Sequence, residues 1–278
     1  MSIENHHNLQ INHMNCDYAD KKRSRIHDTW FRKDTVDYWR HERMYKIVKP
    51  LASFYRTKKW MSVGDGRYGL DSIRLSSMYD LEVLPTDISD VMLKHSKAKS
   101  YITNYSVENA EFLSFEDDYF DVIFCKESLH HCARPSLAIY EMIRVASIAV
   151  ILIEPNDCKT DEEVAPNFES SGNFVYALSN RELNKIAHAA NLGGVAYKLF
   201  NDAYKCGVEF EKTSDGSALF NEIKDVIKKA DESGRFSYTC SVIFKSKVPT
   251  DLKVSMISDG YSIPQKHVNP FHLDNRVS

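Results

Sequence analysis

The sequence predicts an α/β protein built around a doubly wound, mostly parallel sheet, and three observations support this. Short apolar runs alternate with segments whose apolar residues recur at spacings of three and four, the patterns of buried strands and amphipathic helices. Residues 120–125 are apolar apart from Asp121, as the buried strands of parallel sheets are. Four strand and helix alternations follow one another, which indicates a doubly wound sheet.

A glycine-dense turn follows the first predicted strand. Residues 60–69 read Trp-Met-Ser-Val-Gly-Asp-Gly-Arg-Tyr-Gly, and an amphipathic stretch begins at Leu70. Gly64 and Gly66 let a ligand approach the main chain, and the next helix directs its N–H groups and positive dipole end toward that ligand. The second strand ends at Asp87, roughly 20 residues further on, where a carboxylate accepts ribose hydroxyls. The pattern predicts a nucleotide-type cofactor site.

Capping residues and helical spacing place further elements. Asp34 is the predicted N-cap of a helix that Pro50 ends or kinks. Ser179 and Glu182 form a capping box for a later helix, which the glycine pair 193–194 is expected to close. The expected inward residues of the first of these helices are Val36, Trp39, Arg43, Ile47 and Leu51.

The composition argues against several classes of partner. The chain has 278 residues, of which 43% are hydrophobic and 27% charged, with a formal net charge of −3, so we expect no nucleic-acid partner. The six cysteines are scattered without a C-x-x-C pair, which predicts reduced thiols in a cytoplasmic protein. No apolar run approaches the roughly 20 residues that span a bilayer, so we expect no membrane association. The sequence carries no signal that sets the oligomeric state.

The order of motifs from the glycine turn onward resembles the class I S-adenosylmethionine-dependent methyltransferases, in particular the small-molecule group with a methyltransferase type 11 domain. The resemblance covers residues 60–157. After the turn and the acid at Asp87 come Asn-Ala-Glu-Phe-Leu-Ser-Phe at 109–115, Phe-Asp-Val-Ile at 120–123 and Leu-His-His at 129–131. The resemblance implies a Rossmann-like seven-strand sheet with one antiparallel C-terminal strand.

We divide the chain accordingly into three parts. Residues 1–56 are expected to form an N-terminal segment with a helical lid, the polar start of which predicts disorder. Residues 57–247 are expected to form the methyltransferase domain. Residues 248–278 contain three prolines and no periodicity, so we expect an irregular tail.

The resemblance implies S-adenosylmethionine as the cofactor and a role for each of its motifs. The first turn holds the methionine part, Asp87 the ribose, and Asn109 with the amides after it the adenine. Backbone carbonyls of the turn at 126–128 are expected to bind the amino group of the cofactor. The residues expected to bind the cofactor are Gly64, Asp65, Gly66, Arg67, Asp87, Ile88, Asn109, Ala110, Glu111 and Lys126.

Two positions depart from the family pattern. Ser62 stands where relatives have an acidic residue, and Tyr68 stands at the third glycine position, with Gly69 one residue later. We therefore expect a wider turn, in which Asp65 or Arg67 takes over contacts to the amino-acid end of the cofactor.

Methyl transfer needs alignment of the reactants and removal of one proton when the acceptor is a hydroxyl. His130 and His131 follow the fourth strand at its carboxyl end, and histidine titrates in the useful range. Adjacent residues diverge by about 100°, so one histidine is the expected base, with His131 preferred, and the other packs or orients. Glu127 orients a histidine or makes a surface ion pair. These three contiguous residues make a poor metal cage, so we expect no metal.

The N-terminal helix and the fifth strand supply the candidate substrate contacts. Trp39 and Arg43 share one helix face, while Arg40 and His41 turn to the side. Arginine suits phosphate or carboxylate and tryptophan suits a sugar face, which predicts an anionic or glycosyl acceptor. The alternative is a Trp-anchored packing helix with solvated arginines. Glu154 ends the fifth strand at the same rim, where it contacts substrate or a helix end or loop.

We therefore expect methyl transfer to a small polar acceptor, namely an oxygen of a sugar or glycoconjugate precursor. The prediction of a sugar acceptor depends on four segments that together resemble a subgroup associated with bacterial carbohydrate and surface-polysaccharide modification. They are residues 30–35 (Trp-Phe-Arg-Lys-Asp-Thr), 39–44 (Trp-Arg-His-Glu-Arg-Met), 63–69 (Val-Gly-Asp-Gly-Arg-Tyr-Gly) and 125–128 (Cys-Lys-Glu-Ser). Two alternatives stay open. The spacing Gly64-x-Gly66-x-x-Gly69 literally matches the fingerprint of NAD-dependent oxidoreductases, and the two departures are compatible with a non-catalytic protein that binds an adenosyl cofactor.

Overall fold

The computed structural model describes residues 2–21, 23–157, 167–168, 174–202 and 207–265. The strands are β1 (Trp60–Val63), β2 (Val83–Asp87), β3 (Ser106–Val107), β4 (Phe120–Lys126), β5 (Ala146–Pro155), β6 (Asn167–Phe168), β7 (Phe174–Val175), β8 (Gly194–Phe200) and β9 (Tyr238–Phe244). The helices are α1 (Ile3–Ala19), α2 (Ser24–Phe31), α3 (Val36–Ile47), α4 (Lys49–Phe54), α5 (Leu70–Tyr79), α6 (Val91–Ala98), α7 (Pro135–Val145), α8 (Asn180–Ala189), α9 (Ala218–Glu232) and α10 (Thr250–Ser258). Within these residues, no helix is long and apolar enough to cross a bilayer.

Seven strands form one sheet in the order β3-β2-β1-β4-β5-β9-β8. The first five of these pair in parallel, whereas β9 runs antiparallel to both β5 and β8. This is the seven-strand sheet with one antiparallel C-terminal strand that the resemblance implies, and the prediction is confirmed. The strands β6 and β7 form a separate antiparallel pair.

The sheet is buried on both faces because its central strands are apolar at consecutive positions. Phe124, Ile151 and Val242 lie side by side on β4, β5 and β9 and belong to one apolar cluster. Their neighbours Ile123 and Val150 point to the opposite face and belong to a second cluster. A strand alternates its side chains between faces, so this continuous apolar pattern requires helices on both sides.

The order in which strands are added to the sheet changes direction between β1 and β4. From β1 the sheet extends outward through β2 and β3, and the chain then returns to place β4 on the other side of β1. The carboxyl ends of these parallel strands therefore meet at one crevice, the position where open α/β sheets bind ligands.

The N-terminal segment is helical, so the predicted disorder is wrong. Helix α1 spans Ile3–Ala19, and Ser2 caps it by accepting a hydrogen bond from the Asn5 amide at 3.2 Å. Its apolar residues are not gathered on one face, and only His6 is buried. Contacts with the rest of the protein hold such a helix in place, and hydrophobic periodicity carries no record of them.

Helix α3 begins at Thr35 rather than at Asp34. The Thr35 Oγ1 accepts a hydrogen bond from the Tyr38 amide at 3.2 Å, while Asp34 is exposed and pairs with Arg32 at 3.2 Å. The helix ends before Pro50, as expected. Its buried face differs by one position from the predicted one: Arg40 is buried, and Arg43 is only half-buried.

Helix α8 has the predicted capping box, with both reciprocal hydrogen bonds between Ser179 and Glu182 present. It ends at Ala189, so the prediction that the glycine pair closes it is wrong. Gly193 instead donates its amide to the Phe244 carbonyl at 2.7 Å, and a Cβ at this position would collide with the Ser246 carbonyl. Most of the irregular loop expected at 156–172 lies outside the described residues, as do Cys158, Tyr204 and Cys206.

The segment after β9 continues the fold, so the prediction of an irregular tail is wrong for residues 250–258. Leu252 and Met256 on α10 are fully buried in the cluster that contains Phe124. Beyond the helix, the Tyr261 hydroxyl donates to the Ile47 carbonyl at 3.0 Å, and the Ser262 amide donates to the carbonyl of Tyr197 at 2.8 Å. Residues 266–278 lie outside the described part of the chain.

If α10 is part of the core, Leu252→Ala lowers the free energy of unfolding by about 2–5 kcal/mol, since it leaves a cavity among buried side chains. Val254, on the same helix, is 59% exposed, and Val254→Ala is the matched control, with an expected change within about 0.5 kcal/mol. Urea unfolding followed by circular dichroism measures both. Equal effects of the two substitutions would contradict the burial of α10.

Candidate active site

A cavity of about 390 Å³ lies over the carboxyl ends of β1, β2 and β4 and beneath helices α1, α2 and α3. This volume falls within the range of roughly 300–1,000 Å³ that small-molecule sites occupy. The lining contains every residue predicted to bind the cofactor and every predicted catalytic residue: Gly64, Asp65, Gly66, Arg67, Asp87, Ile88, Asn109, Ala110, Glu111, Lys126, Glu127, His130 and His131. The structure thus brings both sets together at one site.

The glycine turn is held close to its neighbours. Gly64 has a φ of 75°, and a Cβ there would collide with the Ser128 side chain. A Cβ on Gly66 would lie 2.6 Å from the carboxylate of Asp87. The backbone can therefore approach a ligand only because both positions lack side chains. Tyr68, at the third glycine position of the family pattern, has a left-handed φ of 61°.

Asp65 anchors this turn to α5. Its carboxylate accepts hydrogen bonds from the Asp71 amide at 3.0 Å and from the Ser72 amide and hydroxyl at 2.9 and 2.7 Å. Burial and the nearby Asp71 carboxylate raise the pKa of Asp65 well above its usual range. Its acceptors are occupied by the helix N-terminus, so of the two residues expected to compensate for Ser62, Arg67 is better suited to reach the cofactor.

Asp87 ends β2 beside the turn. It accepts the amide of Ser89 at 2.8 Å, and the amides of Gly66 and Ile88 also bond to it. Burial outweighs these bonds and raises the pKa of Asp87 to about 6. A buried carboxylate gains stability from further donors, and the two hydroxyls of a ribose are suitable donors.

Hydrogen bonds of Asn109 and Glu111 hold the loop on the side of the cavity where adenine is expected to bind. Asn109 Oδ1 accepts the amide of Glu111 at 2.9 Å, and Asn109 Nδ2 lies 3.3 Å from His7 Nδ1 on α1. Glu111 is buried and accepts two hydrogen bonds from Arg134, each 2.7 Å long. These contacts fix the loop after β3 and connect it to the N-terminal helix.

Glu127 lies at the centre of a buried ionic cluster rather than in a surface ion pair. It accepts the Tyr238 hydroxyl at 2.8 Å and lies 3.0 Å from Lys126 Nζ, 3.4 Å from His41 and 3.6 Å from Arg40. Burial acts to raise the pKa of Glu127, but Lys126, His41 and Arg40 outweigh it and hold the pKa well below its usual range. The group is therefore ionised at neutral pH and is a poor base. Among the described residues, the His, Cys, Asp and Glu side chains form no cluster of three able to hold a metal ion.

Glu154 lies behind His130, outside the cavity lining. One of its oxygens accepts the amides of Ser128 and Leu129 at 3.0 and 2.9 Å, and the other lies 2.5 Å from His130 Nδ1. The Glu154 residue is buried, with 2% of its surface exposed. The carboxylate therefore orients His130, which the prediction of a substrate contact did not anticipate.

His131 differs from its neighbour. Burial, with smaller effects of His130 and Arg67, lowers the pKa of His131 to about 3. Its Nδ1 is buried and has no hydrogen-bond partner among the described residues, and the two imidazole rings lie 3.9 Å apart. The geometry thus favours His130 over His131 as the base, the reverse of the preference taken from the sequence.

Of the substrate contacts predicted on α3, His41 alone is part of the described cavity lining. Arg40 is buried and bonds to Asp202 at 2.6 Å. Arg43 lies 5.1 Å from the ring centroid of Trp39 and donates to a backbone carbonyl at 3.3 Å. Trp39 packs on Phe220, with 5.1 Å between ring centroids. These contacts fit the alternative of a Trp-anchored packing helix, although its arginines are bonded within the protein.

Sequence reasoning missed the contribution of α1. Gln10 Nε2 donates to the His131 carbonyl at 2.9 Å, which fastens α1 over the two histidines. The sequence signal for this helix is a set of polar residues at helical spacing, which a pattern based on apolar residues does not detect. The α1 residues in the cavity wall are His7, Gln10, His13, Met14 and Asp17.

Comparison with known proteins agrees with this arrangement. Residues 61–153 match the family model described as a methyltransferase domain. A solved S-adenosylmethionine-dependent methyltransferase from Archaeoglobus fulgidus is 14% identical, with a TM-score of 0.50 over 73% of this chain and 94% of that chain. A candidate sarcosine dimethylglycine methyltransferase from Galdieria sulphuraria is 16% identical, with a TM-score of 0.51 over 76% of this chain and 87% of that chain.

The [4+2]-cyclase SpnF has a similar fold, with 14% identity and a TM-score of 0.50 over 74% of this chain and 82% of that chain. A search of curated proteins gave no significant match. At these identities the structural likeness shows the fold, whereas the family match identifies the domain. Residues 61–153 therefore form a methyltransferase domain, and the protein is an enzyme with S-adenosylmethionine as its cofactor.

The raised pKa of Asp87 predicts a pH-dependent cofactor affinity. Below about pH 6 the carboxyl is protonated in the free protein, and it must lose that proton to accept two ribose hydroxyls. The affinity for S-adenosylhomocysteine is therefore expected to fall by up to about tenfold per pH unit below the pKa and to stay level above it. Calorimetric titration at several pH values measures this.

Asp87→Asn is the matched control, because it keeps the shape and every other titrating group. We expect this variant to bind about tenfold or more weakly at neutral pH and to lose the dependence below pH 6. A parent protein whose affinity is equal at pH 5 and pH 7 would contradict the assigned role of Asp87.

Proposed function

We propose that this enzyme transfers a methyl group to an oxygen of a small polar acceptor, namely a sugar or related glycoconjugate precursor. The observation that carries the proposal is the pairing of His130 with Glu154 beside the predicted cofactor residues. A hydroxyl, unlike a neutral amine, must lose a proton as it is methylated, and a positioned histidine supplies that function. The subgroup resemblance of residues 30–35, 39–44, 63–69 and 125–128 supports the sugar acceptor and a role in polysaccharide biosynthesis.

His130 is the proposed general base. Its contact with Glu154 favours the tautomer with the proton on Nδ1, which makes Nε2 the accepting nitrogen. As the acceptor hydroxyl loses its proton to Nε2, the imidazole becomes positively charged, and the buried Glu154 carboxylate stabilises that charge. Bound S-adenosylmethionine supplies an already activated methyl group. The remaining contribution of the protein is alignment of the acceptor oxygen with that methyl group.

The N-terminal helices are the proposed lid. Helices α1, α2 and α3 contribute His7, Trp30 and His41 to the cavity wall above the strand ends. Closure by these helices keeps water from the reacting groups and strengthens the interactions inside. We retain residues 1–56 as the lid segment and 57–247 as the body of the methyltransferase domain, and we extend this domain through α10, because α10 packs into its core.

A cytoplasmic location remains part of the proposal. The described cysteines Cys16, Cys125, Cys132 and Cys240 are free thiols. Free thiols are typical of proteins in reducing compartments.

The fold does not by itself establish methyl transfer, since the [4+2]-cyclase SpnF shares it. The direct test incubates the protein with methyl-labelled S-adenosylmethionine and a panel of nucleotide sugars, free sugars and oligosaccharides. Label is expected in a sugar acceptor at an alkali-stable ether linkage. Labelling confined to amine-containing acceptors would refute oxygen methylation, and binding of NADH instead of S-adenosylhomocysteine would favour the oxidoreductase alternative.

The base assignment predicts a difference between two adjacent histidines. His130→Ala is expected to lower kcat by about 10² while leaving the affinity for S-adenosylhomocysteine nearly unchanged. His131→Ala is the matched control, and we expect a smaller loss from it because its Nδ1 is buried and burial lowers its pKa to about 3. Initial rates under saturating cofactor measure both.

Glu154→Gln should lower kcat while leaving the affinity for S-adenosylhomocysteine nearly unchanged, because the imidazole of His130 loses the charged partner that positions it. Full activity in His130→Ala, or an equal loss in both histidine variants, would rule out His130 as the specific base.

A further inference from the structure

The arginines predicted to bind an anion are already occupied. Arg40 is bonded to Asp202 and Glu127, and Arg43 to a backbone carbonyl. Four other arginine and lysine side chains line the cavity. Of these, Arg23 pairs with Asp17 at 2.5 Å and Lys126 with Glu127 at 3.0 Å. The remaining two, Arg67 and Arg74, have no carboxylate within 4.0 Å among the described residues, so their charges are not neutralised by a close partner.

Arg74 is buried and incompletely bonded. It is 7% exposed, its Nη2 donates to the Trp30 carbonyl at 2.6 Å, and its guanidinium carbon lies 3.3 Å from the ring centroid of Tyr38. Its Nη1 is buried without a hydrogen-bond partner in the described structure. Burial lowers the pKa of Arg74. A buried cation with an unused donor is costly unless an anion or acceptor reaches it.

Arg67 lies on the glycine turn and contacts the ring of the same tryptophan whose carbonyl binds Arg74. Its guanidinium carbon is 5.2 Å from the ring centroid of Trp30, and its side chain is exposed at the cavity. Asp37 acts on Arg67 and Arg74 electrostatically, but its close contacts are with Arg40 at 3.6 Å and His41 at 3.4 Å. Trp30 therefore brings two unneutralised arginines to one part of the cavity wall.

We propose that Arg67 and Arg74 form an anion subsite that receives a carboxylate or phosphate group of a bound ligand. The planar guanidinium suits both groups, because it can donate two parallel hydrogen bonds. The group has two possible sources, namely the carboxylate at the amino-acid end of the cofactor and an anionic group on the methyl acceptor. The inference rests on the proposed function, since it places a ligand of that reaction in this cavity.

Calorimetric titration distinguishes the two sources. Parent protein, Arg67→Gln and Arg74→Met are each titrated with S-adenosylhomocysteine, with its decarboxylated analogue, and with inorganic phosphate before and after saturation with S-adenosylhomocysteine. Arg56→Gln is the matched control, because Arg56 is an exposed arginine outside the cavity lining. Thermal melting verifies that each variant folds, and the exposed position of Arg67 keeps the test decisive should Arg74→Met unfold.

If the anion belongs to the cofactor, the parent binds S-adenosylhomocysteine about 10- to 100-fold more tightly than the decarboxylated analogue. Both cavity variants then lose most of that preference, and Arg56→Gln keeps it. If the anion belongs to the acceptor, the two nucleosides bind alike, and phosphate binds the saturated parent but not the cavity variants. Either result supports the subsite.

The inference would be overturned if the parent showed neither a preference for the carboxylate nor phosphate binding. It would also be overturned if both properties were unchanged in Arg67→Gln and Arg74→Met. Failure of the parent to bind S-adenosylhomocysteine at all would instead refute the proposed function. In that case, phosphate titrated into the cofactor-free protein still reports on the arginine pair.

Discussion

The close approach of the glycine turn to Asp87 is the constraint on which the site depends. Because a Cβ on Gly66 would lie 2.6 Å from the Asp87 carboxylate, the backbone after β1 and the end of β2 can meet only with glycine there. That contact buries the carboxylate and aligns the amide of Gly66 with it. Asp65 then secures the other end of the turn on α5, a task that the side chain of Ser62 does not perform.

Local chemistry explains which features the sequence could predict. The glycine turn, Asp87, the capping box at Ser179 and the buried strand β4 each depend on residues close together in the chain, and the structure forms all of them. Helix α1 and the buried position of Arg40 depend on distant partners such as His131 and Asp202. A single sequence does not record those partners. Its polar composition therefore predicted disorder for α1, and helical periodicity predicted a buried face of α3 that is shifted by one residue.

The same distinction applies to the chemistry of the site. Adjacent histidines are equivalent in sequence, and only the fold shows that Glu154 reaches His130, whereas the buried Nδ1 of His131 has no partner in the described part of the chain. Likewise, arginines on α3 and α5 are interchangeable as residue types. Their roles separate because Asp202 neutralises Arg40, whereas Arg74 has a carbonyl and an aromatic ring as neighbours.

The polar character of α1 has a consequence for the exchange of ligands. The helix covers the cavity, yet His6 is its one buried residue among those described, and most of its contacts with the body are polar: His7 with Asn109, Gln10 with the His131 carbonyl, Asp17 with Arg23 and His27, and Tyr18 with His95. When such a helix separates, water replaces each broken hydrogen bond, and the main apolar contact that is lost is that of Met14 with the cluster around Trp30. Displacement of α1 therefore costs less free energy than opening of the apolar core, so substrate can enter and product can leave while the core stays folded.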